Sequence, residues 1–100
     1  MSSTDLKTRQ DSKTAKPKKY AVVFYNDDFT PMEFVVQVMM AVFGHDAAQA
    51  EAITMDIHKK GKGVAGVYTH EIAEVKSTKA QDAARRYEFP LKCEVVPEEG

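Results

Sequence analysis

The sequence predicts a small α+β fold, in which three helices cover one face of a three-stranded antiparallel sheet. Three segments are rich in β-branched and aromatic residues, three others carry apolar residues at helical spacing, and glycines or polar turn residues separate them. In chain order the elements read β-α-α-β-α-β, which is typical of an α+β sandwich. The folded part, about 80 residues, is long enough to form a core without disulfide bonds.

The first strand is predicted at Tyr20–Tyr25, where β-branched and aromatic residues follow one another without interruption. The turn-forming residues Asn26, Asp27 and Asp28 end it. Because the apolar residues do not alternate with polar ones, we expect a strand that is central in the sheet or buried on both faces.

The first helix is predicted from Pro31 to about Phe43, with Gly44 ending it. Thr30 is a suitable N-cap, Pro31 suits the first helical position, and Glu33 completes a capping box of the Thr-x-x-Glu type. These signals predict a helix start that is strongly specified directly after the polar loop.

A second helix is predicted from Asp46, as its N-cap, to about Lys60, where basic residues suit the negative end of the helix dipole. The run from Gly61 to Gly66 spells the G-x-G-x-x-G pattern. A dinucleotide site requires a strand before that pattern and a helix after it, whereas here the order is reversed. We therefore interpret these glycines as a helix stop and a tight turn.

The rest of the chain predicts a second strand over 64–68, a third helix over 70–87 capped by Thr69, and a third strand over 89–96. Pro90 lacks a backbone donor, so it places the third strand at an edge or marks its start. The apolar residues expected to face inward from the third helix are Ile72, Val75, Ala83, Ala84 and Tyr87.

Apart from Met1, residues 1–19 contain one large apolar side chain, Leu6, with six basic and two acidic residues, so we predict a flexible N-terminal extension and a folded domain over 20–100. The basic charges are scattered and lack interleaved aromatic residues, so we expect no nucleic-acid binding. The single Cys93 suits a reducing cytoplasm, and no stretch reaches the roughly 20 apolar residues of a membrane span.

The polar loop between the first strand and the first helix is the main candidate site. Asn26, Asp27 and Asp28 offer oxygen acceptors next to the apolar residues Met32 and Val35. Fixed acceptors beside an apolar wall suit the first residue of a peptide, which combines a cationic amine with a side chain. Acidic residues at a helix entrance also serve as dipole-complementing caps, and two carboxylates could hold Mg²⁺ or act as an acid–base pair.

The histidines leave similar alternatives open. His58 either complements the C-terminus of the second helix or forms hydrogen bonds in a pocket that it shares with Asn26. His45 and His70 are expected at the surface. Because no two histidines share a ligand spacing, we predict no metal site. We also expect no cofactor.

Several motifs of this chain resemble the ClpS adaptor family. The string from Asn26 to Val35 carries most of the resemblance, which extends over about residues 20–96. The further matching segments are Ile57-His58, Lys60–Lys62, Gly66–Thr69, Glu71–Lys76 and Phe89–Cys93.

The resemblance implies an adaptor without enzymatic activity. It implies recognition of proteins whose N-terminal residue is destabilising (an N-degron, typically Leu, Phe, Tyr or Trp) and delivery to the N-domain of a Clp AAA+ ATPase, ClpA in many bacteria. By matching position, Asn26, Asp27 and His58 would bind the substrate's α-amino group and first peptide unit, with Asp28 ranked behind Asp27. The residues expected to line or rim the side-chain pocket are Thr30, Met32, Val35, Met39, Ile53, Thr54, Ile57 and Leu91.

The same resemblance implies that Glu71 and Lys76 face the ATPase, and we expect a monomer. Thr54 departs from the family pattern, in which many relatives carry Met or another large apolar residue. We take it as a hypothesis that the chain is a ClpS2-type paralogue with narrower or shifted specificity. Two alternatives compete: an ATPase-docking module without its own peptide pocket, and a metal-dependent enzyme using Asp27, Asp28 and His58.

Overall fold

The computed structural model describes residues 18–98 of the chain. Six elements follow the predicted β-α-α-β-α-β order, which confirms the fold class. They are β1 Tyr20–Tyr25, α1 Met32–Ala41, α2 Ala47–Lys60, β2 Lys62–Tyr68, α3 His70–Arg86 and β3 Lys92–Pro97. Except for Lys18 and Lys19, which are exposed, the N-terminal extension lies outside the described residues, and its flexibility stays a prediction.

The sheet has the strand order β2-β1-β3, and both pairs are antiparallel. Strand β1 is therefore central as predicted, and the side chains of Val22 and Phe24 are fully buried under the helices. On β2 the register shifts opposite Val22 and Val23, so that Ala65 is the extra residue of a β-bulge. The C-terminal end of β1, at Tyr25, leads directly into the polar loop.

Three boundaries differ from the prediction by two or three residues. Helix α1 ends at Ala41 rather than near Phe43, whose ring is instead buried against that of Phe24 at 5.6 Å between centroids. Strand β2 begins at Lys62, so the G-x-G-x-x-G pattern lies mostly in a strand. Strand β3 begins at Lys92, after Pro90, because proline cannot donate to the sheet.

The predicted N-cap of α1 was wrong. Pro31, with φ −66° and ψ 143°, occupies the N-cap position, and its side chain can neither donate nor accept a hydrogen bond. The hydroxyl and backbone N–H of Thr30 are engaged with Asp27 instead, so the capping box with Glu33 does not form. At α2 the prediction was right, because Oδ1 of Asp46 accepts the N–H of Gln49 at 2.8 Å.

The predicted inward face of α3 was wrong for its large residues. Ile72, Val75 and Tyr87 are 48%, 53% and 64% exposed, respectively. The buried stripe of α3 consists of small side chains, namely Ala73, Ser77, Ala80 and Ala84. Small residues at these positions let the helix approach the sheet closely, and the larger apolar residues are left on the outer face.

His45 was expected at the surface, but it is half-buried. Its Nε2 lies 2.6 Å from the carbonyl oxygen of Ala65, at the bulge in β2. This contact joins the α1–α2 loop to the sheet. His70 is exposed, as predicted, and its ring lies edge-on to that of Tyr20 at 4.7 Å.

Candidate functional site

A pocket lies where the loop after β1, the start of α1, the C-terminal half of α2 and the segment before β3 meet. Nine of the predicted site residues line it, together with two that were not predicted. The lining residues are Phe24, Tyr25, Asn26, Asp27, Thr30, Met32, Val35, Thr54, Ile57, His58 and Leu91.

A backbone hydrogen bond sets the polar side of this pocket. The N–H of Asn26 donates to the carbonyl of Gly61 at 2.9 Å, joining the end of β1 to the C-terminus of α2. Gly61 can serve there because its φ of 91° is left-handed, which glycine adopts without strain. His58, three residues earlier on α2, is thereby brought to the same pocket as Asn26.

The carboxylate of Asp27 organises the loop. Its Oδ1 accepts the N–H groups of Phe29 and Thr30 at 2.8 and 2.7 Å, and its Oδ2 accepts the Thr30 hydroxyl at 2.8 Å. Partial burial raises the pKa of Asp27 whereas these hydrogen bonds lower it, and the net result is a pKa below the ordinary value for aspartate. Asp27 is therefore held ionised at neutral pH.

The opposite side of the pocket is apolar. Val35, Ile57 and Leu91 are buried, and Met32 is 39% exposed at the mouth. Thr54 is also buried, and its hydroxyl donates to the carbonyl of Ala50 one turn earlier at 2.8 Å, so its only donor is satisfied within α2. The cavity volume is about 20 Å³, room for about one water molecule.

Two predicted pocket residues do not line the pocket. Met39 is fully buried in the hydrophobic core, and Ile53 is half-buried against that core. Asp28 is exposed outside the pocket. The helical spacing of Met39 and Ile53 could not distinguish a pocket wall from the core, because a pocket wall and a core are both apolar and both lie on inward helix faces.

Sequence reasoning missed Phe24 and Tyr25. They are the last two residues of β1, so their position directly before Asn26 was the signal that could have revealed them. The Tyr25 hydroxyl donates to Oε1 of Glu94 on the neighbouring strand at 2.5 Å, and that hydrogen bond, with partial desolvation and the negative charge of Glu94, raises the pKa of Tyr25. The Tyr25 phenol, at the edge of the site, is therefore neutral, and its hydroxyl hydrogen is already donated to Glu94.

The two residues expected to face the ATPase differ in their surroundings. Glu71 is exposed in the first turn of α3. Lys76 is half-buried, and its Nζ donates to the carbonyl of Val42 at the end of α1 at 2.9 Å while lying 5.3 Å from the centre of the Tyr68 ring. The hydrogen bond from Lys76 therefore links α3 to the C-terminal end of α1.

The exposed side of α3 carries a second concave surface, which we name the α3 face. It is lined by Glu71, Ile72, Val75, Lys76 and Lys79. Its apolar centre is formed by Ile72 and Val75, and charged residues of both signs surround it. An apolar centre with a charged surround is typical of a protein-interaction surface.

Within residues 18–98, the acidic, histidine and cysteine side chains form no cluster of three that could hold a metal ion. The buried thiol of Cys93 has its pKa raised to about 12 by desolvation, so it is a poor nucleophile. No helix in this part of the chain combines the length and apolarity that crossing a bilayer requires.

Known proteins provide an independent comparison. Residues 15–94 match the family model described as ATP-dependent Clp protease adaptor protein ClpS. Among curated relatives, the adapter protein ClpS of Roseobacter denitrificans is 49% identical over 96 residues, covering 96% of this chain and 85% of the relative. That of Hydrogenovibrio crunogenus is 49% identical over 83 residues, covering 83% and 80%.

A solved structure agrees with the sequence comparison. Agrobacterium tumefaciens ClpS2, bound to L-phenylalaninamide, superposes with a TM-score of 0.80 at 38% identity, covering 83% of this chain and all of that one. Fold, sequence and motifs thus point the same way, and the chain belongs to the ClpS family of Clp protease adaptors.

Proposed function

We propose that this adaptor binds the free N-terminus of proteins whose first residue is large and apolar or aromatic, and delivers them to a Clp AAA+ ATPase of the ClpA type. It would do so as a monomer in the cytoplasm. The observation that carries the proposal is the pocket itself, which joins a polar mouth of Asn26, Asp27 and His58 to an apolar interior. The ligand of the similar Agrobacterium protein supports it, since phenylalaninamide presents a free amine, one amide and an aromatic side chain.

The polar mouth matches a protonated amine. An α-amino group has a pKa near 8, so at neutral pH it is mostly a cation with three donors. A carboxylate has about four acceptor positions, and protein donors occupy three of those on Asp27. One position remains for the amine, and the Asn26 amide oxygen and a ring nitrogen of His58 supply the others.

The apolar interior would receive the first side chain. Full burial of a Leu or Phe side chain contributes roughly 1.5–3 kcal/mol. The cavity of about 20 Å³ is too small for such a side chain, so Met32 has to move aside. Met32 suits this task because it is partly exposed and its unbranched side chain adapts to different shapes.

Delivery would use the α3 face. Ile72 and Val75 offer apolar contact area, and Glu71 and Lys79 offer charges for orientation. The chain enters the fold beside this helix, because Tyr20 at the start of β1 contacts His70 at the start of α3. The N-terminal extension therefore starts near the docked ATPase, and we propose that it acts in delivery.

Fluorescence anisotropy with short labelled peptides tests the pocket. Peptides that begin with Leu, Phe, Tyr, Trp or Val are measured beside their acetylated twins. We expect binding of one or more large apolar residues and its loss on acetylation, because the neutral amide leaves Asp27 with an unused acceptor. Asp27→Ala should abolish binding, whereas Asp28→Ala, the exposed neighbour, serves as the matched control.

Pull-down and degradation assays with a ClpA-type ATPase test delivery. Removal of residues 1–19 should spare peptide binding and slow degradation of a model substrate. If no free-amine peptide binds while the ATPase still does, the chain is an ATPase-docking module without its own pocket. Equal degradation with and without residues 1–19 would remove the proposed role of the extension.

A further inference from the structure

Another concave surface, distinct from both the pocket and the α3 face, lies beside the start of α1, and we name it the aromatic groove. Its cavity volume is about 280 Å³. It is lined by Pro31, Glu33, Phe34, Gln37, Tyr87 and Phe89. None of these residues lines the proposed pocket, yet Pro31 stands between Thr30 and Met32, which do. The groove therefore begins at a residue that is directly bonded to two residues of the pocket wall.

Three aromatic rings form one wall of the groove. Phe34 meets Tyr87 and Phe89 edge-on, with centroids 5.8 and 5.0 Å apart, and Tyr87 and Phe89 stack at 5.9 Å with 21° between their planes. Tyr87 is 64% exposed, so its contact with the other rings leaves most of its surface open to solvent. The exposed part of the Tyr87 ring is therefore accessible to a ligand.

The turn after α3 holds the rings in place at an energetic cost. The N–H of Phe89 donates to the carbonyl of Ala84, and that of Glu88 to the carbonyl of Arg85, which together form a Schellman motif. Glu88 occupies the left-handed position of this motif with φ of 63°, where glycine is the usual residue. The unfavourable backbone of Glu88 thus lies between the two stacked rings.

The chemistry of the groove favours a cation. Aromatic faces attract Lys and Arg side chains, and the carboxylate of Glu33 and the amide oxygen of Gln37 can accept their hydrogen bonds. Within residues 18–98 the lysines that lie over aromatic rings are Lys76 and Lys92, and both are placed elsewhere, so no cation of the described chain lies over the rings of the groove. Residues 20–100 also carry thirteen acidic and eight basic side chains.

We propose that the aromatic groove binds a Lys or Arg side chain of the substrate, at one of positions two to five of its chain. The proposal rests on the proposed function of the pocket. An extended peptide advances roughly 3.3–3.6 Å per residue, so a chain whose first residue fills the pocket reaches the far side of Pro31 within a few residues. The adaptor would then select for a basic residue after the N-degron as well as for its first residue.

Peptides that differ in one side chain test this proposal. We would place Lys at each of positions two to five of a Leu-first or Phe-first peptide, with norleucine at the same position as an uncharged control. Lys at one position should tighten binding about fivefold over norleucine. Tyr87→Ala should remove that difference while leaving the affinity for the norleucine peptide within about twofold.

Glu33→Gln gives a second readout, because it keeps all three rings and reduces only the charge of the groove. It should weaken the preference for Lys, and the unfolding temperature of each variant shows that the fold is intact. Equal binding of the Lys and norleucine peptides to the unmodified protein overturns the proposal and leaves the pocket standing. A Lys preference that survives both substitutions also overturns it. If the unmodified protein binds none of the peptides, the pocket and the groove are refuted together.

Discussion

The hydroxyl of Thr30 donates a hydrogen bond to Oδ2 of Asp27 across 2.8 Å. This bond, with the backbone N–H of Thr30 on Oδ1, turns the loop after β1 back on itself just before α1. Thr30 thereby orients the carboxylate that we propose as the amine acceptor, instead of capping the helix. The stability of the loop and the affinity of the site should therefore change together.

Thr30→Val tests this coupling, because valine keeps the branched shape and lacks the hydroxyl. We expect a loss of about 0.5–1.5 kcal/mol in the free energy of unfolding, measured in urea, and weaker binding of free-amine peptides by anisotropy. Thr69→Val is the matched control, since Thr69 lies at the N-cap of α3 without a side-chain hydrogen bond to the helix. Unchanged peptide affinity in Thr30→Val would contradict the orienting role.

The lowered pKa of Asp27 predicts a pH dependence of stability. Its contribution should be fully present above the ordinary aspartate pKa near 3.9, and it should be lost as pH falls through the lower pKa of the folded state. Urea unfolding between pH 6 and pH 2.5 should show Asp27→Asn less stable than the unmodified protein at pH 6, with the gap closing toward low pH. A gap that stays constant across this range would rule out the effect.

Lys76 should matter for the fold as well as for docking. Lys76→Met removes the hydrogen bond to the Val42 carbonyl, and we expect a loss of about 1–2 kcal/mol in the free energy of unfolding. Val75→Ser changes an exposed residue of the α3 face, so it should leave stability within about 0.5 kcal/mol and weaken ATPase binding. Thermal melts beside ATPase pull-downs separate the two effects. Lys79→Met, on the same face, is the control for loss of charge.

The turn after α3 offers a stabilising substitution. Glu88→Gly relieves a left-handed backbone conformation that is unfavourable for a residue with a side chain. Because glycine also increases the entropy of the unfolded chain, we expect a net gain of about 0.5–1 kcal/mol in unfolding free energy. Glu88→Ala removes the same carboxylate without the conformational relief, so a similar gain from both would show that backbone strain is not the cause.

Thr54 should help to set which first residues fit. Thr54→Met places a larger side chain in the wall of a cavity of about 20 Å³. We expect peptides that begin with Phe or Trp to lose about 1–3 kcal/mol of binding free energy through overpacking, and those that begin with Leu to lose less. Thr54→Val, of nearly equal shape, should keep the ranking. An unchanged ranking in Thr54→Met would remove Thr54 as a determinant of specificity.

The sequence by itself determined the order of the elements, the central position of β1 and the cap of α2. These features depend on local periodicity and on hydrogen bonds between near neighbours, such as that between Asp46 and the N–H of Gln49. The polar part of the candidate site was also readable, because Asn26, Asp27 and Thr30 lie within five residues of one another.

Only the tertiary structure decided which apolar residues form the core, the pocket or an exposed surface. Met39 is buried in the core, whereas Ile72 and Tyr87 lie outside, although all three occur at helical spacing. Leu91 enters the pocket from more than thirty residues beyond His58. Such placements depend on how closely each helix approaches the sheet, and that distance is set by the side chains of residues remote in the sequence.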